Sequence, residues 1–387
     1  MLDVDHLVET AQQATGLADF GESTWREGCE RLVDALAAEA RLNAIGEQIA
    51  GMEIVAYLTN RLRVTDWHRR ESGIGRADVR PPIVIVGQGR TGTTILYDLL
   101  AQDPSNRVPR TWEVDRPWPP PETATYDTDP RIDEVQATIE ASESVIPGFL
   151  AMHPIGARLG QECVRITGGA FRSMIFPTQY RIPSYLRWLL DEADMAPAYR
   201  YHRRFLQHLQ SRHRGDRWVL KSPGHIWSLG ALLAEYPGAL LVQTHRDPLR
   251  IVASLASLVA LLRRLASDES SVPGVAAELA DDVADGLDRS VTARLDGTVR
   301  PDRAVDVQFA AFMADPLATV RTIYDRLGMA LGGVAEARMR AFLDANPQDK
   351  HGGHRYTFAA TGLDAGALRE RVRRYQTYFD VASEPLP

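Results

Sequence analysis

Lysine is nearly missing from this 387-residue chain: of 44 basic residues, two are lysines, Lys221 and Lys350, and the other 42 are arginines. A lysine kept against such a bias marks a place where a compact, mobile ammonium serves better than a planar fork. Cysteine is equally scarce. Cys29 and Cys163 are the whole complement, too few for a disulfide framework or a cysteine-based zinc site. Long apolar runs are absent as well. The longest, Leu249 to Leu262, is interrupted by Arg250, Ser254 and Ser257 and is too short to span a bilayer. The first ten residues, MLDVDHLVET, lack the charged-then-apolar order of a secretory signal. These absences predict a cytoplasmic protein without a transmembrane segment. No H-E-x-x-H or comparable cluster occurs, so no metal is expected. The formal charge of -7 argues against bulk attraction to nucleic acid; any anion site must be a local basic pocket.

What is present reads as α/β. Apolar residues at 44% and charged residues at 25% suit a globular chain with a sizeable core. Residues 1–78 are predicted to form a helical N-terminal extension, because Leu42, Ile45, Ile49, Met52, Val55, Leu58 and Leu62 recur at helical steps. From Arg80-Pro81-Pro82 onward the pattern changes. Ile83-Val84-Ile85-Val86 reads as a strand buried on both faces, followed by a Gly-rich turn and a helix to about Gln102. Further strands are predicted at Trp218–Leu220, Ala239–Thr244 and Val305–Phe309. Helices are predicted around 131–143 and 184–211, after Ser222-Pro223, and after Asp247-Pro248 and Asp315-Pro316. This alternation predicts a P-loop-like parallel sheet flanked by helices in a second domain, 79–387. The proline-rich stretch 104–147 is expected to be an ordered, functional loop.

The chemistry concentrates in Gly87-Gln88-Gly89-Arg90-Thr91-Gly92-Thr93-Thr94. Between a strand and a helix, such a loop turns its backbone N–H groups toward an anion. Its spacing approaches the G-x-x-x-x-G-K-[ST] phosphate loop, but Thr93 stands where the lysine belongs, and Arg90 brings the positive charge instead. A nucleoside triphosphatase would need that lysine. A donor with a single phosphate beside the transferred group would not.

With these residues the chain resembles the sulfotransferase superfamily that uses 3′-phosphoadenylyl sulfate (PAPS), and most closely its bacterial, actinobacterial-type branch with a helical N-terminal extension. The anchors are Gly89 through Thr94, Trp112-Glu113, Leu220-Lys221-Ser222-Pro223-Gly224-His225, Thr244-His245-Arg246-Asp247-Pro248 with Ser254, and His351-Gly352-Gly353-His354-Arg355-Tyr356. The resemblance implies that Gly89, Arg90, Thr91, Gly92, Thr93 and Thr94 hold the 5′-phosphosulfate, and that Arg246 and Ser254 hold the 3′-phosphate. Lys350, Arg355 and Tyr356 would lie in a loop that closes over the nucleotide. The acidic pair expected near residue 308 is replaced by Gln308-Phe309-Ala310-Ala311, which leaves Phe309 either to stack on adenine or to fill the core.

The implied reaction passes a sulfuryl group in line from PAPS to an acceptor hydroxyl and releases 3′,5′-adenosine bisphosphate. It needs positioning, a general base and a stabiliser for the leaving oxygen. Lys221, at the end of a strand, is assigned to the leaving oxygen. Four residues compete as the base, in the order Glu113, His225, His153 and Glu162. Glu113 adjoins Trp112, whose apolar ring would raise its pKa. His225 sits at a helix start, where the dipole would keep it neutral. The acceptor is expected to be a hydrophobic or aromatic small molecule or lipid, given Trp112, Trp118, Phe149, Phe171, Phe176, Tyr180 and Tyr185 in the surrounding segment. A P-loop kinase or nucleotide hydrolase, or a non-catalytic nucleotide-binding scaffold, is the alternative.

Overall fold

The structure is a computed structural model describing residues 2–145, 155–347 and 356–386. Five strands form one sheet in the order β2-β3-β1-β4-β5, with β1 Ile83–Val86, β2 Asn106–Arg107, β3 Arg217–Lys221, β4 Leu240–His245 and β5 Ala304–Gln308. Every pairing is parallel. All four residues of β1 are buried, as a strand covered by helices on both faces requires. Each such Val or Ile contributes about 1.5–3 kcal/mol by leaving water.

Register decides where the chemistry gathers. Ile85 lies beside Lys221 on one side, and Val86 lies beside Gln243 on the other. The carboxyl ends of β3, β1 and β4 therefore lie at one edge, with β4 running two residues beyond the end of β1. The chain leaves β1 toward β2 and β3 and later crosses to β4, which makes this edge the topological switch point where ligands bind in open α/β sheets.

Three helices precede the sheet: α1 Val4–Thr15, α2 Trp25–Glu39 and α3 Ala44–Arg70. Asn43 caps α3 by accepting the N–H of Gly46 at 2.8 Å. A Cβ at Gly46 would meet the carbonyl oxygen of Ala266 at 2.2 Å, so glycine alone lets α3 start against the end of the helix Pro248–Ala266. Leu32, Ile54, Leu58 and Leu62 share one core with Phe171, Phe176, Tyr185 and Trp188. The aromatic residues expected around the acceptor are thus mostly core. Trp112, Phe171, Phe176, Tyr180 and Tyr185 are all buried, Trp118 is exposed, and Phe149 lies outside the described residues.

The helix expected over 184–211 is broken into Pro183–Asp191 and Ala196–Leu209. The segment after Ser222-Pro223 begins as a 3₁₀ helix, Pro223–Trp227, before the α-helix Leu229–Glu235. Among the described residues no helix is long and apolar enough to cross a membrane. None of their His, Cys, Asp and Glu side chains gather in threes as a metal site would require.

Candidate active site

The loop after β1 is shaped by positive φ at Gly87 (132°), Arg90 (70°) and Gly92 (87°). A Cβ at Gly87 would stand 2.5 Å from Thr244 Oγ1 and 2.7 Å from the Thr244 carbonyl oxygen. Only glycine allows the chain to turn across β4 at that point. Arg90 adopts the left-handed conformation at a cost of about 1–2 kcal/mol. Its carbonyl accepts a hydrogen bond from Arg246 Nη1 at 3.0 Å, and its Nε donates to Ser254 Oγ at 3.0 Å. Arg90, Arg246 and Ser254, 164 positions apart at the extremes, therefore form one cluster, whereas the sequence reading assigns Arg90 to the 5′-phosphosulfate and Arg246 with Ser254 to the 3′-phosphate.

Gly92 opens the helix α4, Thr93–Leu100, whose first amides have no carbonyl one turn earlier to bond. The helix dipole adds a preference for negative charge at that point. The threonines divide their work. Thr91 is 1% exposed; its hydroxyl donates to the Gln88 carbonyl at 2.7 Å and lies 2.6 Å from Thr244 Oγ1. Its side chain braces the loop instead of facing a ligand. Thr93 is also buried. Thr94 Oγ1 accepts from Lys221 Nζ at 3.3 Å and so joins the helix start to β3.

Lys221 is 2% exposed. Besides Thr94 it contacts Glu162, whose Oε1 lies 2.6 Å from Nζ, and the face of Tyr97 at 5.6 Å. Glu162 reaches this position because the segment before it is bonded to the turn Pro109–Trp112. Trp112 N–H donates to the Ala157 carbonyl at 3.1 Å, Thr111 N–H to Leu159 at 2.9 Å, and Gln161 N–H to Pro109 at 2.7 Å. Tyr97 of α4 packs against Gly160, where a Cβ would meet the ring at 2.4 Å. Glycine at 160 therefore sets how closely Glu162 approaches Lys221.

Glu113, the first-ranked base, occupies a different environment. It is 0% exposed. Arg107 Nη2 lies 2.5 Å from its Oε1; the Arg110 N–H and the Tyr126 hydroxyl donate to Oε2 at 2.9 and 3.0 Å. Three donors hold it as the third residue of the short helix Thr111–Asp115, whose start its side chain caps. His225 is buried too, and its Nδ1 is 2.9 Å from the Tyr199 hydroxyl. Burial, not the helix dipole, pushes this imidazole down to about 3. At that value it is neutral but a weak base. His153, Lys350 and Arg355 lie outside the described residues.

Phe309 lies with its ring 3.9 Å from the Arg246 guanidinium carbon, and Gly92 would touch the same ring through a Cβ at 3.2 Å. It therefore serves as a platform under Arg246. Gln308 donates to the Phe379 carbonyl at 2.7 Å. Beside Ser222 a narrow pocket is lined by Val164, Met174, Leu189, Met195, Tyr199 and His225.

A sequence model described as the sulfotransferase family matches residues 81–332. The omega-hydroxy-beta-dihydromenaquinone-9 sulfotransferase Stf3 of Mycobacterium bovis is 26% identical over 310 residues, 76% of this chain and 75% of that protein. Among solved structures, sulfotransferase STF9 from Mycobacterium avium superposes with a TM-score of 0.90 at 30% identity, covering 99% of this chain and 98% of that one. Sulfotransferase STF1 from Mycobacterium tuberculosis H37Rv superposes with 0.84 at 31% identity, covering 96% and 98%.

Proposed function

Since the chain belongs to the sulfotransferase family, we propose that its sulfonate donor is PAPS, that its acceptor is a hydroxyl on a largely apolar molecule, and that Glu162 and Lys221 carry the chemistry. The observation behind this reading is the buried ammonium of Lys221, held 2.6 Å from Glu162 and in contact with Thr94 at the start of α4. The kinase, hydrolase and scaffold alternatives are not favoured by the family match or the relatives.

The residues fit such a donor. Gly87 and Gly92 keep the loop free of Cβ atoms that would clash with Thr244 and Phe309. The amides at the start of α4 suit the 5′-phosphosulfate, and Arg246, with Ser254 and Arg90 beside it, suits the 3′-phosphate. When bound, the donor supplies an electrophilic sulfur and a bridging oxygen that gains charge as it leaves. Lys221 stabilises that oxygen as its ammonium turns from Glu162 toward the phosphosulfate. Glu162, no longer in contact with Lys221, takes the proton from the acceptor hydroxyl. Glu113 acts through the backbone: it holds the turn to which residues 157–161 are bonded and so positions Glu162. One relative is an omega-hydroxy-beta-dihydromenaquinone-9 sulfotransferase, which supports a hydroxyl on an apolar acceptor.

The deciding experiment incubates the protein with sulfur-labelled PAPS and extracts of lipids and hydroxylated apolar metabolites, without added metal, and follows label into organic-soluble product. Labelled apolar product is expected. Label transferred only to small polar acceptors would overturn the acceptor class, and binding of AMP as tightly as 3′,5′-adenosine bisphosphate would overturn the donor assignment.

A further inference from the structure

The C-terminal tail brings an acid into the cluster just assigned to the 3′-phosphate. Arg246 Nε lies 3.0 Å from Glu384 Oε1, and its Nη2 lies 3.1 Å from Oε2. Arg250 Nε is 3.6 Å from Oε2 of the same carboxylate. The remaining Arg246 nitrogen, Nη1, donates to the Arg90 carbonyl. The Nε–Nη2 edge, which gives a guanidinium its two parallel donors for a phosphate or carboxylate, is therefore engaged by a residue 138 positions away.

The tail is seated deliberately. The Val381 N–H donates to the Gln376 carbonyl at 2.9 Å, and Gln376 Nε2 donates back to the Val381 carbonyl at 3.1 Å. The Glu384 N–H donates to Asp247 Oδ2 at 2.6 Å, and Arg250 Nη1 donates to the Pro385 carbonyl at 3.1 Å. Asp247 is itself buried, caps the helix Pro248–Ala266 and receives both Nη groups of Arg369 at 2.7 and 3.0 Å. Residues 381–385 thus cross the start of that helix as a strap, with the Glu384 carboxylate on its inner side.

We propose that Glu384 is an internal competitor for the 3′-phosphate subsite: its carboxylate fills the Arg246 fork until a nucleotide bearing a 3′-phosphate displaces it. The inference rests on the assignment of that subsite above. A nucleotide without a 3′-phosphate leaves the Glu384 contact in place. One with a nearly doubly charged 3′-phosphate exchanges a monoanion for a stronger ligand of Arg246 and Arg250. Glu384 thereby narrows the affinity margin of the bisphosphate over AMP, and its return helps expel the product bisphosphate. The cost to the correct ligand is the fraction of molecules in which the tail is docked, since apparent affinity falls by that factor.

The test uses the full chain and the variant Glu384→Gln, which keeps size and the backbone bond to Asp247 but removes the charge. Calorimetry with 3′,5′-adenosine bisphosphate and with AMP is the first readout. Glu384→Gln is expected to bind the bisphosphate about 10-fold more tightly, as for a tail docked in about nine molecules of ten, with AMP affinity within about twofold of the unmodified chain. Hydrogen exchange is the second readout. Saturating bisphosphate should speed amide exchange at 381–386 in the unmodified chain, and AMP should not. Unchanged or weaker bisphosphate binding by Glu384→Gln would overturn the competitor and make Glu384 a brace for Arg246. If the unmodified chain fails to distinguish bisphosphate from AMP, the subsite assignment falls, and this inference falls with it.

Discussion

Nζ of Lys221 and Oε1 of Glu162 stand 2.6 Å apart at the carboxyl edge of the sheet, although 59 residues separate them in sequence. The ammonium is 2% exposed, a setting in which a charge requires a partner. In the resting protein each neutralises the other. On the proposed mechanism, a ligand that draws Lys221 away takes this ammonium from Glu162, so donor binding and base activation would be coupled through that contact.

Glu162→Gln should accordingly lower turnover by about 10²–10⁴-fold. Bisphosphate affinity should change by less than about threefold, because Glu162 stands against Lys221 and the 3′-phosphate is assigned to Arg246. A steady-state assay with a true acceptor, beside calorimetry, checks both numbers. Retention of most activity would remove Glu162 from the proton transfer.

Glu113→Gln should behave differently. Removing the charge leaves Arg107 buried without its carboxylate, and breaking such a pair costs about 3–5 kcal/mol. A fall in thermal midpoint is expected, with turnover of the folded fraction within about tenfold of the original. A variant with unchanged stability and turnover reduced a thousandfold would restore Glu113 as the base.

Gly160→Ala probes the coupling between the two. The new Cβ would enter the Tyr97 ring at 2.4 Å, so either α4 or the segment leading to Glu162 must move. A stability loss of about 1–3 kcal/mol is expected from overpacking. Turnover should fall more than bisphosphate affinity, as the Lys221–Glu162 distance changes while Arg246 stays in place. Parallel losses in both would show that the whole loop had moved.

The sheet was legible because its strands are short apolar runs bounded by Gly, Pro and Asp: β1 lies where Ile83–Val86 predicts it, and β3, β4 and β5 fall within a residue or two of expectation. The two-residue β2 and the 24-residue helix Val272–Leu295 were missed. The first is too short to show alternation, and the second carries Asp281, Asp282, Asp285 and Asp288 through an otherwise apolar pattern. The proximity of Arg246 and Ser254 was legible because Arg246 follows β4 directly and Ser254 lies two turns into the helix that follows; that Arg90 joins them depends on the loop after β1. Glu162 was ranked last among the bases because its approach to Lys221 depends on the bonding of 157–161 to the turn after β2, which no local spacing records. Glu113 sits in a buried turn, where its side chain accepts the Arg110 N–H at the start of a short helix, a setting that its place beside Trp112 in sequence does not record. Glu384 left no local signal, being one acid in a short tail whose partner lies 138 residues earlier.

Arg246→Ala should cost about 2–5 kcal/mol in bisphosphate affinity if the guanidinium grips a buried phosphate. AMP binding should change by less than about twofold, since the 5′-side contacts belong to the loop and α4. Calorimetry of both nucleotides against the variant measures the difference. Equal losses for AMP and bisphosphate would place Arg246 at the 5′ side or in general structure.

Acid sensitivity follows from the buried imidazoles. Burial pushes His202 and His225 down to about 3, and His68, His208 and His213 to about 4. Each stays neutral in the fold at pH 5, whereas in the unfolded chain it is protonated below about 6.5. The stability they contribute is complete above that value and is lost as pH falls toward 4 and 3. Asp98 and Asp282 act in the opposite sense: burial raises them to about 7 and about 6. Their protons are held by the folded state in a range where the unfolded chain has lost them, so that part of the stability is regained on acidification. Burial raises Glu53 as well. The imidazoles and the raised carboxyls thus pull in opposite directions, and the more numerous imidazoles leave the unfolded chain binding more protons near pH 5, so stability falls with acid. Urea unfolding at pH 7, 6 and 5 should show the midpoint falling between the last two. His208→Gln, which keeps a donor for the Pro117 carbonyl now 2.7 Å from Nε2, should reduce that slope by about one proton. A midpoint that rises steadily from pH 7 to 5 would mean that the buried carboxyls, not the imidazoles, govern the acid side.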